Sequence, residues 1–127
     1  MDGRTVYTDT GRWSHKAVCV WWDNSWKHQF VPMELQDSLQ TMELKAVLWA
    51  FSVWPNEPLN VVTDSLYAAG ICQRIEDAHI RDNKNVCLIS LFLRLKHTLR
   101  RRKEPYCVIH IRSHLNTVGL GQGNAVC

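Results

Sequence analysis

An α/β fold is the architecture this sequence predicts: a five-stranded mixed sheet, three antiparallel strands followed by two parallel ones, with helices on both faces. Three observations lead there. Three β-rich runs separated by tight turns open the chain, a helical apolar period closed by a proline comes next, and two later apolar runs are divided by further helical stretches. With 127 residues, 46% hydrophobic and 21% charged, the chain has the size and composition of one globular domain spanning residues 1–127.

Residues 4–9 alternate and are β-rich, which predicts a strand ending at Asp9, with Thr10-Gly11-Arg12 as the turn. Lys16 to Trp22 is a nearly continuous apolar strand, Asp23-Asn24-Ser25 turns the chain, and Trp26 to Val31 returns as a third strand. Asp37 or Ser38 can cap a helix in which Leu39, Met42, Ala46, Trp49, Ala50 and Val53 recur at helical spacing, and Pro55 stops it. Leu59 to Thr63 is a fourth strand, leading into Asp64. A second helix starts at Ser65. A third, begun by Asp82-Asn83, carries the stripe Val86, Ile89 and Leu93 with Leu88, Phe92, Leu95 and Leu99, and ends in a basic run before Pro105. Tyr106 to Ile111 alternates as a fifth strand, residues 112–122 read as a loop, and Asn124 stands near a possible helix start.

The five cysteines (19, 72, 87, 107 and 127) are odd in number, contain no Cys-x-x-Cys and mostly lie in apolar runs. The expectation is buried reduced thiols in an intracellular protein rather than a zinc site. No apolar stretch reaches the roughly 18 residues of a membrane span, and the N-terminus enters a strand without the pattern of a signal peptide. Membrane association is therefore not expected.

Three acids carry the chemistry: Asp9 and Asp64 at the ends of strand-like runs, and Glu43 early in a helix-like run. The first and fourth strands, joined through a helix, can lie parallel and adjacent, about 4.8 Å apart. Ligand sites in such sheets lie beyond the carboxyl ends of the strands. Ala46, Val47 and Ala50 follow on the face of Glu43, which turns it toward the sheet. Carboxylates gathered in this way form an oxygen-lined Mg²⁺ site of the kind that hydrolyses phosphodiesters. Net charge is only +3, but Arg94, Lys96, His97, Arg100, Arg101, Arg102 and Lys103 concentrate positive charge at one helix end. That run suits a polyanion. It equally suits a helix C-terminus, where cations answer the dipole.

Four local patterns, in order, closely resemble the ribonuclease H domain of retroviral and endogenous-retroviral Pol polyproteins over essentially the whole chain: Thr8-Asp9; Met42-Glu43-Leu44-Lys45-Ala46; Thr63-Asp64-Ser65-Leu66-Tyr67-Ala68-Ala69-Gly70-Ile71; and His110-Ile111-Arg112-Ser113-His114 followed by Gly123-Asn124-Ala125. The Trp54-Pro55-x-x-Pro58 stretch and the tryptophan-rich second strand suggest an endogenous-retroviral relative. The resemblance implies a ribonuclease H-like fold and a nuclease that cuts the RNA strand of an RNA–DNA hybrid with two Mg²⁺ ions, for which Mn²⁺ can substitute. It also implies adjoining reverse transcriptase and integrase regions and a cytoplasmic or virion location.

Carried over residue by residue, Asp9, Glu43 and Asp64 would be metal ligands. His114 would assist proton transfer or product release, Gln40 would contact the minor groove, and Tyr67 would help hold the DNA strand. Arg100, Arg101 and Arg102 are the basic residues expected to meet nucleic acid. Each has a plainer reading: the two Asp as turn caps, His114 as an ordinary loop residue, Gln40 as a solvated helix start, Tyr67 as partly buried core.

Two departures stand out. The family usually places Gly directly after the first Asp, where this chain has Thr10 and then Gly11. The family's fourth carboxylate falls just past Cys127, together with a last helix, so the expectation is a weakly held second metal. Two further readings stand beside the nuclease: an impaired remnant that only binds nucleic acid, and a fold retained without either property.

Overall fold

The computed structural model describes residues 1–75 and 85–112, and the backbone of 124–126. Its element order is β1 (Arg4–Gly11), β2 (Lys16–Trp22), β3 (Trp26–Phe30), α1 (Leu39–Val53), β4 (Leu59–Thr63), α2 (Leu66–Gln73), α3 (Val86–Arg101), β5 (Tyr106–His110) and β6 (Asn124–Val126). The sheet order is β3-β2-β1-β4-β5-β6. The opening meander is antiparallel, β1 and β4 are parallel, and so are β4 and β5. The five expected strands are thus all present. The sixth is new: Asn124 does not begin a helix but pairs with His110 in a short antiparallel edge strand.

Register explains how the core forms. Val6 pairs with Val61, and Val61 with Val108, so one sheet face presents a row of fully buried valines. Thr8 pairs with Cys19 on that face, and the Cys19 thiol donates to the Ala46 carbonyl of α1. Residues from α1, α2 and α3 join the same core cluster as these valines. The described helices therefore lie on one side of the sheet, and the other side carries no helix among the described residues.

Capping decides where the helices start. Ser38 Oγ accepts from Thr41 N–H at 3.2 Å and opens α1. Asn85, not the Asp82-Asn83 pair, caps α3 by accepting from Leu88 N–H at 3.1 Å; residues 82 and 83 lie outside the described residues. Of the expected α3 stripe, Leu88, Phe92, Leu95 and Leu99 are buried and Leu91 joins them, while Val86 and Leu93 are exposed.

Asp37 does not cap α1. Its side chain is only 2% exposed, and it accepts from Glu34 N–H at 2.8 Å and from Lys45 Nζ at 2.6 Å. Burial alone would raise its pKa, but the Lys45 ammonium and the Glu34 amide overcome this and hold it below the usual carboxylate value. A lowered acid stabilises the fold above the unfolded carboxyl pKa of about 3.9, and the contribution fades as pH falls through the folded value. Lys45→Ala leaves this carboxylate buried without its cation. The expected loss is about 2 kcal/mol at pH 7, shrinking toward pH 3, as read by urea melts at both pH values.

Cys19, Cys72 and Cys87 are free thiols, and burial pushes the first two up to about 12. Cys107 departs from the expectation of reduced thiols: it is disulfide-bonded. No described helix is long and apolar enough to cross a membrane.

Candidate active site

Asp9 lies inside β1 rather than at its end, because antiparallel pairing with β2 continues to Gly11↔Lys16. On its other side, parallel pairing stops at Thr8↔Thr63. Asp9 and Asp64 thus both stand one residue past the last β1–β4 pair, on neighbouring strands about 4.8 Å apart. Thr63 helps fix this edge. Its hydroxyl accepts from Ser65 N–H at 3.0 Å, and its carbonyl accepts from Ile111 N–H at 2.9 Å.

Glu43 approaches from α1. Ala46, Val47 and Ala50 on its side of the helix are completely buried, and Glu43 is half-buried at the helix's sheet-facing edge. Burial raises its pKa above the usual carboxylate value, and the nearby Asp64 carboxylate raises it further. A hydrogen bond from the Ser65 hydroxyl and the charge of Arg12 pull the other way without cancelling the rise. Tyr67 stands on the first turn of α2. Burial raises its phenol, and so does the Glu43 carboxylate. Glu43, Asp64, Ser65 and Tyr67 therefore form one neighbourhood.

Asp9 shares this edge by register. Strand alternation puts Thr8 and Cys19 toward α1 and gives Asp9 the other parity. Among the described residues, no group of three His, Cys, Asp or Glu side chains is arranged to hold a metal ion. The donor chemistry nevertheless fits a hard divalent cation, since Glu43 and Asp64 repel one another across a partly buried edge and a cation between them would remove that cost.

Gln40 is exposed one turn before Glu43, on the approach to this edge. His114 lies outside the described residues. At the other end of α1, the arginine run divides. Arg100 and Arg101 are exposed, and Arg101 sits 3.5 Å from His97. Arg102 is a structural clamp. It donates to the Trp54 carbonyl at 3.0 Å and the Glu57 carbonyl at 2.6 Å, and its guanidinium lies 5.5 Å from the centre of the Phe51 ring.

Reading the sequence missed Ser65. It is 4% exposed, caps α2 by accepting from Ala68 N–H at 2.9 Å, and turns its own proton to Glu43. The signal was available: a serine immediately before an apolar helical run is an N-cap. Thr10 occupies the family's glycine position without disturbing β1 and pairs with Ala17. One residue later, a Cβ on Gly11 would meet the Ser14 hydroxyl, which would have to turn away.

A sequence profile of RNase H matches residues 2–127. The chain belongs to the RNase H family. It is 32% identical to the Gag-Pol polyprotein of Rous sarcoma virus subgroup B over 128 residues, covering 99% of this chain and 8% of that polyprotein. It is 36% identical to the Gag-Pro-Pol polyprotein of Squirrel monkey retrovirus over 91 residues, covering 70% of this chain and 5% of the relative. For the Gag-Pro-Pol polyprotein of Mouse mammary tumor virus the figures are 35% over 94 residues, 71% and 5%. This RNase H chain thus spans less than a tenth of the length of these polyprotein relatives. The five-strand order 3-2-1-4-5 and the three helices agree with the RNase H-like fold that the motifs implied.

Proposed function

We propose that this chain hydrolyses the RNA strand of an RNA–DNA hybrid, with Asp9, Glu43 and Asp64 as the acids that hold Mg²⁺ or Mn²⁺. One observation carries the reading: Glu43 and Asp64 meet at the strand edge, where each makes the other's negative charge costly. A fold without metal chemistry gains nothing from that repulsion. The match to RNase H supports the choice of hybrid as substrate.

A divalent cation bound there would supply Lewis acidity and neutralise charge developing on the phosphate. The chain's own part is orientation. Ser65 holds the Glu43 carboxylate, Thr63 fixes the turn that presents Asp64, and Tyr67 walls the site from α2. Gln40 meets the hybrid's minor groove, a role its exposure supports. His114 assists proton transfer or product release. The domain would act within a retroviral or endogenous-retroviral Pol polyprotein, beside reverse transcriptase and integrase regions, in cytoplasm or virion. The resemblance to Gag-Pol relatives supports that setting.

The test uses one RNA strand labelled at its 5′ end and presented three ways: in a hybrid with DNA, single-stranded, and in an RNA duplex. The expected result is endonucleolytic cutting of the hybrid alone, dependent on Mg²⁺ or Mn²⁺. A domain that binds but does not cut would retain the hybrid in a salt-dependent manner and release no product. Equal cutting of all three substrates would remove the hybrid assignment.

The raised Glu43 pKa gives a separate expectation. An acid whose pKa is higher in the folded state costs stability as pH rises through the interval between its unfolded and folded values. Glu43→Gln should therefore raise the metal-free melting temperature at pH 7.5 by roughly 2–4 °C and have little effect near pH 4. Differential scanning calorimetry at both pH values checks this.

A further inference from the structure

The end of the molecule opposite the acids has a groove that the cleavage chemistry does not use. It lies where α1 and α3 end together and has a volume of about 580 Å³. Ser52 and Asn56 line one side, and His97, Arg101, Lys103 and Glu104 line the other. Arg102 forms part of the wall with its terminal nitrogens already committed to the Trp54 and Glu57 carbonyls, and its Nε is buried with no partner among the described residues.

Cations at helix C-termini usually serve the helix itself. Arg102 instead serves α1, since its fork takes carbonyls at and beyond the end of that helix. Arg101, in the last turn of α3, and Lys103, just past it, are both exposed at the groove, and Glu104 is the one acid lining it among the described residues. His97 lies one helical turn before Arg101, and Arg94 a further three residues back on the same side of α3. Arg94, Arg101 and Lys103 therefore place positive charge along this side of α3 and into the groove. The Asn56 amide adds a neutral donor of the kind that holds phosphate oxygens, while the Ser52 hydroxyl donates within α1 to the Leu48 carbonyl at 2.7 Å.

We propose that this groove is a second nucleic-acid subsite, binding the sugar–phosphate backbone of a duplex through Arg101 and Lys103. Its register rests on the nuclease reading; its binding does not. From Glu43 to Trp54 is 11 positions along α1, or about 16 Å at ~1.5 Å per residue. At ~3.4 Å per base step this is about five base pairs from the scissile position.

The experiment measures anisotropy of a fluorescent RNA–DNA hybrid of about 20 base pairs without divalent metal, across a salt series. Arg101→Gln with Lys103→Gln is compared with the charge-matched Lys16→Gln with Lys27→Gln on the β2–β3 hairpin. Circular dichroism confirms that each variant is folded. The expected result is binding about tenfold weaker for the groove variant, with the slope of log K against log salt smaller by about two. The hairpin variant should bind nearly as the native chain does. In Mg²⁺, shortening one flank of the hybrid to under about five base pairs from the cut should erase the difference in cleavage between the groove variant and the native chain.

Equal weakening by both variants would mean diffuse charge and overturn the subsite. Native-like binding by the groove variant would do the same. If nothing is cut in Mg²⁺ but the groove variant alone loses binding, the subsite stands and the nuclease reading falls.

Discussion

Asp64→Asn removes Mg²⁺-dependent cleavage of the hybrid, by about 10³-fold or more in kcat, while the folded domain keeps its stability or gains slightly. Losing a carboxylate from a metal centre removes both an oxygen ligand and a unit of charge. At 1.36 kcal/mol per tenfold in rate, the expected loss corresponds to about 4 kcal/mol of transition-state stabilisation. The stability side follows from the metal-free structure, in which the Asp64 carboxylate raises the Glu43 pKa. Deleting one of two like charges relieves that repulsion. Single-turnover cleavage and a thermal melt on the same preparation separate the two effects. Unchanged cleavage would exclude Asp64 from the chemistry. A large fall in melting temperature would make it a structural residue instead.

Phe51→Ala is the largest expected stability change. Phe51 is fully buried in α1, packs edge-on against Tyr106 with ring centres 5.3 Å apart, and lies under the Arg102 guanidinium. Truncation opens a cavity at the joint between α1, β5 and the end of α3. Buried Phe→Ala changes cost about 3–5 kcal/mol, a large part of the ~5–15 kcal/mol that holds a typical domain together. The melting temperature should fall by roughly 10–20 °C. A fall of only a few degrees would show that this joint is not part of the cooperative core. The same substitution should loosen Arg102 and with it the groove, so loss of hybrid binding would accompany loss of stability.

Most of the fold was legible because local signals agreed with global packing. Pro55 and Ser38 bracket α1, and the alternating runs of β1 and β5 fit strands covered on at least one face. The stripe of α3 reads broader than it is because a run rich in Leu, Phe and Ile supports more than one apolar face: Leu88, Phe92, Leu95 and Leu99 are buried as expected, and Val86 and Leu93 are exposed. Helices were expected on both faces, since apolar strands do not say which side a helix takes. Asn124 was taken toward a helix because a short strand at a sheet edge depends on pairing with His110 rather than on its own sequence.

The acids were visible as a pattern, but their relation was not. That Glu43 and Asp64 meet while Asp9 has the opposite parity to Thr8 depends on strand register. The basic run looked uniform in sequence. Two carbonyls at the end of α1 single out Arg102, and nothing local to residues 100–103 announces them.

The central claim is that Asp9, Glu43 and Asp64 act as one metal centre. Titration of the chain with Mn²⁺, followed by the loss of its free-ion electron paramagnetic resonance signal, tests this most directly. Asp9→Asn, Glu43→Gln and Asp64→Asn run in parallel. The account predicts saturable binding that each substitution weakens at least tenfold, with the affected ion lost in common. Binding by Asp9→Asn indistinguishable from that of the native chain would contradict a single three-carboxylate centre.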